Sequence, residues 1–368
     1  MSAATIIFYL IGSSLVAGQP VFRLPIVFQD LAPYGNGMFY AFHDEHQNVV
    51  HALLDTGAAD FHFIWKDWYE AATKQPCPAT GCYQCQQPCS PAPPYQVTKY
   101  DDGVEVTSFE HKAQLSLGSA PPVDLTFGLM FKQDPPPTES EPISSLGLSL
   151  RSSGRTIPSF IGQLRSTGKI PSNTFAFYLS SAGGKAPFNG ELLVGGGDAS
   201  KYVPPLQLIP FSTTFEGDYS VELGSVKVND APQITTPGDD ILLDSGTNFF
   251  YVSPEYYDDI TTDVKEQADK IAGRPVDIKY DARANLWRFS CVYMNVLPPL
   301  SLGLGPQGTV PLKLTHLNYA LDDNGSCFLL FKKGEKDEPW MLPAHAVIGN
   351  YFEFQPDQGR LGTAPAIA

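Results

Sequence analysis

The sequence predicts a mostly β protein built as two related halves. The 32 Gly and 33 Pro separate short apolar runs, a pattern of strands and turns rather than of long helices. A length of 368 residues suits two compact lobes of about 100 to 200 residues each. One motif also occurs twice, as His51-Ala52-Leu53-Leu54-Asp55-Thr56-Gly57 and as Asp240-Ile241-Leu242-Leu243-Asp244-Ser245-Gly246. A single Asp-Thr-Gly is an ordinary turn, but a second copy behind the same Leu-Leu-Asp points to duplication with pseudo-two-fold symmetry. A glycine element follows each copy, Ser145-Leu146-Gly147-Leu148 after the first and Val347-Ile348-Gly349-Asn350 after the second.

Each motif reads as a buried strand stopping at a tight turn, which puts a carboxyl on a rigid support. If the turns meet, Asp55 and Asp244 share one site. Two adjacent carboxyls cannot both ionise easily, so one keeps a proton and the other carries charge. That supplies an acid and a base at one point.

Composition narrows the partners. Hydrophobic residues make up 43% and charged residues 17%, as in an ordered globular chain. The net charge of −15 argues against nucleic acid and anionic membranes as partners, because both require basic surface. Residues 4–17 form an apolar stretch ending in small residues and too short to span a bilayer. It is read as a signal peptide over 1–18, followed by an N-terminal lobe over 19–203 and a C-terminal lobe over 204–368. The expected location is extracellular, with an acidic lumen such as a lysosome or vacuole as the alternative, and a monomer is the default.

Six cysteines agree with an oxidising compartment. Cys291 and Cys327 stand apart and most simply pair with each other. Cys77, Cys82, Cys85 and Cys89 share a Pro-rich loop, where pairing 77 with 82 and 85 with 89 is favoured among three arrangements. Four nearby thiolates also match iron-sulfur or zinc spacing, but the leader favours disulfides over metal. Asn324-Gly325-Ser326 is the one glycosylation sequon.

Local patterns place further elements. Val21 to Phe28 and Met38 to Phe42 read as opening strands, and residues 86–95 and 133–142 as Pro-rich loops. Ile157 to Gly168 reads as a helix, and Ser253-Pro254-Glu255 as the cap and first turn of another. Gly190 to Gly197 lacks the Lys-Ser/Thr of a phosphate loop and reads as a strand ending in a glycine turn.

From about Leu24 to Ala366 the chain resembles the pepsin-like aspartic endopeptidases. The resemblance rests on both Asp-Thr/Ser-Gly motifs, Phe127-Gly128-Leu129, Leu146-Gly147-Leu148, residues 175–181 and 190–198, Ile348-Gly349-Asn350 and the closing residues 359–365. It implies a bilobal fold with a central cleft, each lobe giving one Asp to its floor. It also implies peptide hydrolysis by a water activated between Asp55 and Asp244, with no metal and no cofactor. The substrate would be an extended peptide or protein, and pepstatin-like inhibitors would compete for the cleft. Thr56 and Ser245 would bond across the lobes, Gly57 and Gly246 would admit the substrate backbone, and Tyr100 would be the flap tyrosine above an Asp102-Gly103 turn.

Several positions depart from the family's pattern. Ala58 stands where a hydroxyl is usual, whereas Thr247 keeps it, so Asp55 is expected to be the more often protonated carboxyl. Ala58→Ser is then expected to move the acidic limb of the pH–rate profile downward, and an unchanged limb counts against that expectation. His62 replaces the tryptophan that usually supports the flap tyrosine, and Asn350 replaces a frequent Asp. Few residues separate the leader from the first strand, so no masking prosegment is expected. The alternative reading is a catalytically silent relative that uses its cleft as a binding, inhibitor or allergen-like module.

Overall fold

A computed structural model describes residues 21–31, 35–86, 89–149, 154–215, 217–323 and 325–367. The leader and the acceptor Asn324 lie outside them. The described residues form a 13-stranded sheet, a seven-stranded sheet and a four-stranded sheet. The opening strands are Phe22–Leu31 and Gly35–His43, and they pair antiparallel.

The duplication is visible in register. In the first half, the strand Val49–Asp55 runs parallel to Ser144–Gly147, with Leu54 beside Leu146 and Asp55 beside Gly147. In the second half, Ile234–Leu243 runs parallel to Trp340–Leu342, with Leu243 beside Leu342. A second parallel pair completes each half: Phe61–Ile64 with Val123–Asp134, and Phe250–Val252 with Phe331–Lys333. The strands that carry the acids are flanked on both sides, so the apolar residues leading to the acids, 52–54 and 241–243, are buried.

This register corrects one reading of the sequence. Continuing the second pair by one residue brings Pro343 beside Asp244, so Pro343 is the counterpart of Gly147. Gly349 lies beyond a short turn over Ala344–Val347 and donates its N–H to Leu179 O at 2.8 Å. Asn350 donates to Ala346 O at 2.9 Å and does not occupy the position following the repeated glycine.

The two halves are sewn together by sheet as well as by the site. The C-terminal strands Asn350–Gln355 and Arg360–Pro365 form a hairpin, and the first of them pairs with Phe175–Leu179 of the first half. A continuous apolar core follows from this, running from Phe22 in the first half to Leu361 in the last strand.

Helices are few. Ser159 caps Phe160–Ser166 by accepting the Gly162 N–H at 3.3 Å, and Gly168 lies beyond its end at φ +70°, within the span expected from the sequence. The long helix starts later than Ser253 suggested, at Tyr257, and ends at Ala272. Ser253 instead closes the preceding turn, its carbonyl accepting the N–H groups of Tyr256 and Tyr257. Lys66–Thr73 is a helix that periodicity did not reveal. Disulfides join Cys77 to Cys82, Cys85 to Cys89 and Cys291 to Cys327.

Candidate active site

Asp55 ends its strand and Asp244 follows its own, so each carboxyl sits where a sheet stops. The following turn folds back on each acid. Gly57 and Ala58 donate their N–H groups to Asp55 Oδ1 at 2.9 and 3.0 Å, and Gly246 donates to Asp244 Oδ1 at 2.8 Å.

Thr56 and Ser245 tie the two turns by a nearly symmetric exchange. The Thr56 N–H donates to Ser245 Oγ at 3.1 Å, and the Ser245 N–H donates to Thr56 Oγ1 at 3.0 Å. Each hydroxyl then donates to a carbonyl of the opposite strand: Thr56 to Leu243 O at 2.6 Å and Ser245 to Leu54 O at 2.8 Å. Both residues are buried, so losing either would strand partners that have no water to replace it.

The glycines decide how closely the acids meet. A methyl group built on Gly57 would lie 2.8 Å from the Asp244 carboxylate, and one built on Gly246 would lie 2.7 Å from that of Asp55. Only hydrogen fits. The glycine requirement thus comes first from the opposing carboxyl, before any substrate approaches.

Burial raises the pKa of both carboxyls. The charge of Asp244 and, more weakly, that of Asp60 raise Asp55 further. These influences favour the protonated form of Asp55. The asymmetry does not come from Thr247. Its hydroxyl accepts the Phe249 N–H at 3.3 Å and engages Tyr251, with no bond to the Asp244 carboxylate among the described residues. The Asp60 charge also raises Asp55, after burial, the Asp244 charge and the opposing bonds from Ala58 and Gly57.

A hairpin lies near the acids. Its strands are Tyr95–Lys99 and Glu105–Leu115, with Tyr100 to Val104 as the turn. Gly103 adopts φ +90° and donates to Tyr100 O at 2.9 Å, as the Asp-Gly turn predicts. Burial and then the charges of Asp60 and Asp55 raise the Tyr100 phenol far above its usual value, so it remains a hydroxyl. After burial, the charge of Asp101 at the hairpin tip also raises Asp244. The hairpin thus lies within electrostatic reach of both acids. His62 does not support it: the imidazole Nε2–H donates to Ile143 O at 3.2 Å, and burial lowers its pKa, which favours the neutral ring.

One pair escaped the sequence reading. Arg155 forms a two-pronged ion pair with Asp60, Nη2 to Oδ1 at 2.7 Å and Nη1 to Oδ2 at 3.3 Å, and Thr98 Oγ1 donates to the same Oδ1. The available signal was an acid placed directly before the apolar run Phe61–Ile64, where a charge needs a partner.

The sequence model of the family described as eukaryotic aspartyl protease matches residues 45–366. The chain belongs to that family. Its bilobal pepsin-like architecture is the one described above, with an acid from each half at the junction. Among relatives, the probable aspartic-type endopeptidase OPSB of Arthroderma benhamiae is 25% identical over 289 residues, covering 70% of this chain and 55% of the relative. Napsin-A of Mus musculus is 28% identical over 208 residues, covering 54% and 45%, and secreted aspartic protease 8 of Candida albicans is 24% identical over 288 residues, covering 75% and 63%. The chain therefore spans about half to two thirds of the length of these aspartyl proteases.

Proposed function

We propose that this aspartyl protease family member is a secreted endopeptidase active in acid, with Asp55 and Asp244 sharing one proton. The observation that carries the reading is the reciprocal packing of Gly57 and Gly246 on the opposing carboxyls, which leaves both acids no room for separate solvation. A water between them loses a proton to ionised Asp244 and attacks the peptide carbonyl, while protonated Asp55 donates to the carbonyl oxygen. The proton taken by one acid replaces the one given by the other, and no cofactor is required.

The substrate is an extended peptide lying beneath the hairpin as an added strand, held by main-chain hydrogen bonds. Pepstatin-like inhibitors occupy the same track, and the enzyme works as a monomer. No helix among the described residues is long and apolar enough to cross a membrane. Asp101 and Asp102 at the hairpin tip favour basic side chains nearby. Asp101→Asn/Asp102→Asn is expected to weaken the preference for Lys- or Arg-containing peptides over neutral ones about tenfold. An unchanged ratio of kcat/KM values in a paired-peptide assay would refute this.

Incubation with denatured globin from pH 3 to 7 tests the central reading. Wild type is expected to cleave in the acid range, and both Asp55→Asn and pepstatin to stop it. No cleavage at any pH, or cleavage indifferent to both interventions, overturns the proposal.

A further inference from the structure

The hairpin strand Tyr95–Lys99 lies at the edge of the 13-stranded sheet, so among the described residues only one neighbouring strand, Glu105–Leu115, pairs with it. Side chains alternate along it. Tyr95, Val97 and Lys99 are exposed, whereas Gln96, Thr98 and then Tyr100 are half-buried on the inner side. That inner face offers two polar side chains and a phenol, without an aliphatic residue to pack. Apolar contact is left to Tyr95 on the outer side, whose ring lies 5.0 Å from that of Phe131, and the inner face supplies none.

Polar tethers hold that inner face, and they converge on two consecutive residues. Gln96 Oε1 accepts the Thr156 N–H at 3.0 Å, and Thr98 bonds the Asp60 carboxylate that Arg155 grips with both guanidinium nitrogens. Asp60 is 5% exposed and is fixed from behind, since its carbonyl accepts the Gly147 N–H at 2.8 Å. The same carboxylate stands five residues after Asp55. Tyr100 feels Asp60, Asp55 and Arg155 together, and both its hydroxyl and Arg155 Nε are buried without a hydrogen-bond partner among the described residues.

We propose that the buried Asp60–Arg155 ion pair is the anchor that positions the flap, holding Tyr100 in place over Asp55 through Thr98 while neutralising the Asp60 charge beside the dyad. Its catalytic part rests on the protease reading; its mechanical part does not. These are positioning residues, acting through Thr98 and Tyr100. The groups facing Asp60 are Arg155, His62 and Thr98, with Asp55 and Tyr100 within its field. Burial acts against its ionisation, but Arg155, His62 and Thr98 outweigh it and lower its pKa, so the anchor stays closed into acid.

Hydrogen exchange of amides 95–104 and pH–rate profiles on one peptide test the anchor in Asp60→Asn, Arg155→Gln, the double variant and Thr98→Val. Amides of the hairpin are expected to exchange on the order of tenfold faster in both single charge variants and in Thr98→Val, the loss of a bond to a charged group. Strands away from the hairpin should keep wild-type rates. The basic limb of the profile should move in opposite directions. Asp60→Asn leaves Arg155 unopposed and lowers the pH at which Asp55 ionises; Arg155→Gln leaves the Asp60 charge unopposed and raises it. The double variant should return the limb towards wild type, and Thr98→Val should leave it in place. Hairpin exchange unchanged in Thr98→Val and both single variants, or limbs moving the same way in the two charge variants, overturns the proposal. If wild type cleaves no peptide, the protease reading fails, and exchange in Thr98→Val still decides the mechanical anchor.

Discussion

Asp55→Asn is expected to lower peptide hydrolysis by roughly 10²- to 10⁴-fold, the usual worth of a general acid, and to raise thermal stability at pH 7. The second effect follows from the first group's environment. Burial and the Asp244 charge raise the folded pKa of Asp55 above its ordinary value of 3.8, so at pH 7 the native state binds a proton that the unfolded chain has released. The stabilisation tied to that proton is complete below pH 3.8 and disappears as pH rises towards the folded pKa. Asparagine carries no such proton. The variant should therefore gain on the order of a few kcal/mol at pH 7 and much less at pH 3. Unfolding scans at the two pH values, beside the globin assay, provide the check. A variant that keeps its rate, or that is less stable than wild type at pH 7, would sink the shared-proton assignment.

The second large effect concerns acid tolerance. His345 is 3% exposed, lies edge-on to Phe28 with ring centroids 4.5 Å apart, and has no hydrogen-bond partner at either ring nitrogen among the described residues. Burial pushes its pKa down to about 3. The unfolded chain takes up this proton below pH 6.5 and the native state does so only near pH 3, so stability falls steadily between those values. On the order of a few kcal/mol is at stake. His345→Leu removes the titration and keeps an apolar side chain against Phe28. Its urea midpoint should exceed that of wild type increasingly as pH falls from 6.5 to 3.5. A constant gap between the two midpoints would refute the role of this imidazole.

Much of the site was legible because its information is local. Leu-Leu-Asp-Thr/Ser-Gly contains the strand, the turn and the acid within one short run, and finding it twice was sufficient to pair Asp55 with Asp244. The Asp102-Gly103 turn was legible for the same reason. What escaped depends on register or on distant partners. Arg155 meets Asp60 across 95 positions, and neither residue has a motif. Gly349 looked like the second copy of Gly147 until strand pairing brought Pro343 to that position. Thr247 carries the expected hydroxyl, but its direction is set by Phe249 and Tyr251.

The pairing of Asn350–Gln355 with Phe175–Leu179 has a bearing on how the molecule comes into being. A chain emerging from the ribosome can complete the parallel strands around Asp55 early, but the sheet they belong to stays open until residues beyond 350 have been made. Contacts of such long sequence separation form slowly, and after the local ones. The Thr56–Ser245 clasp is likewise long-range, joining positions 189 apart. The acid pair is thereby assembled after the local strands around each turn.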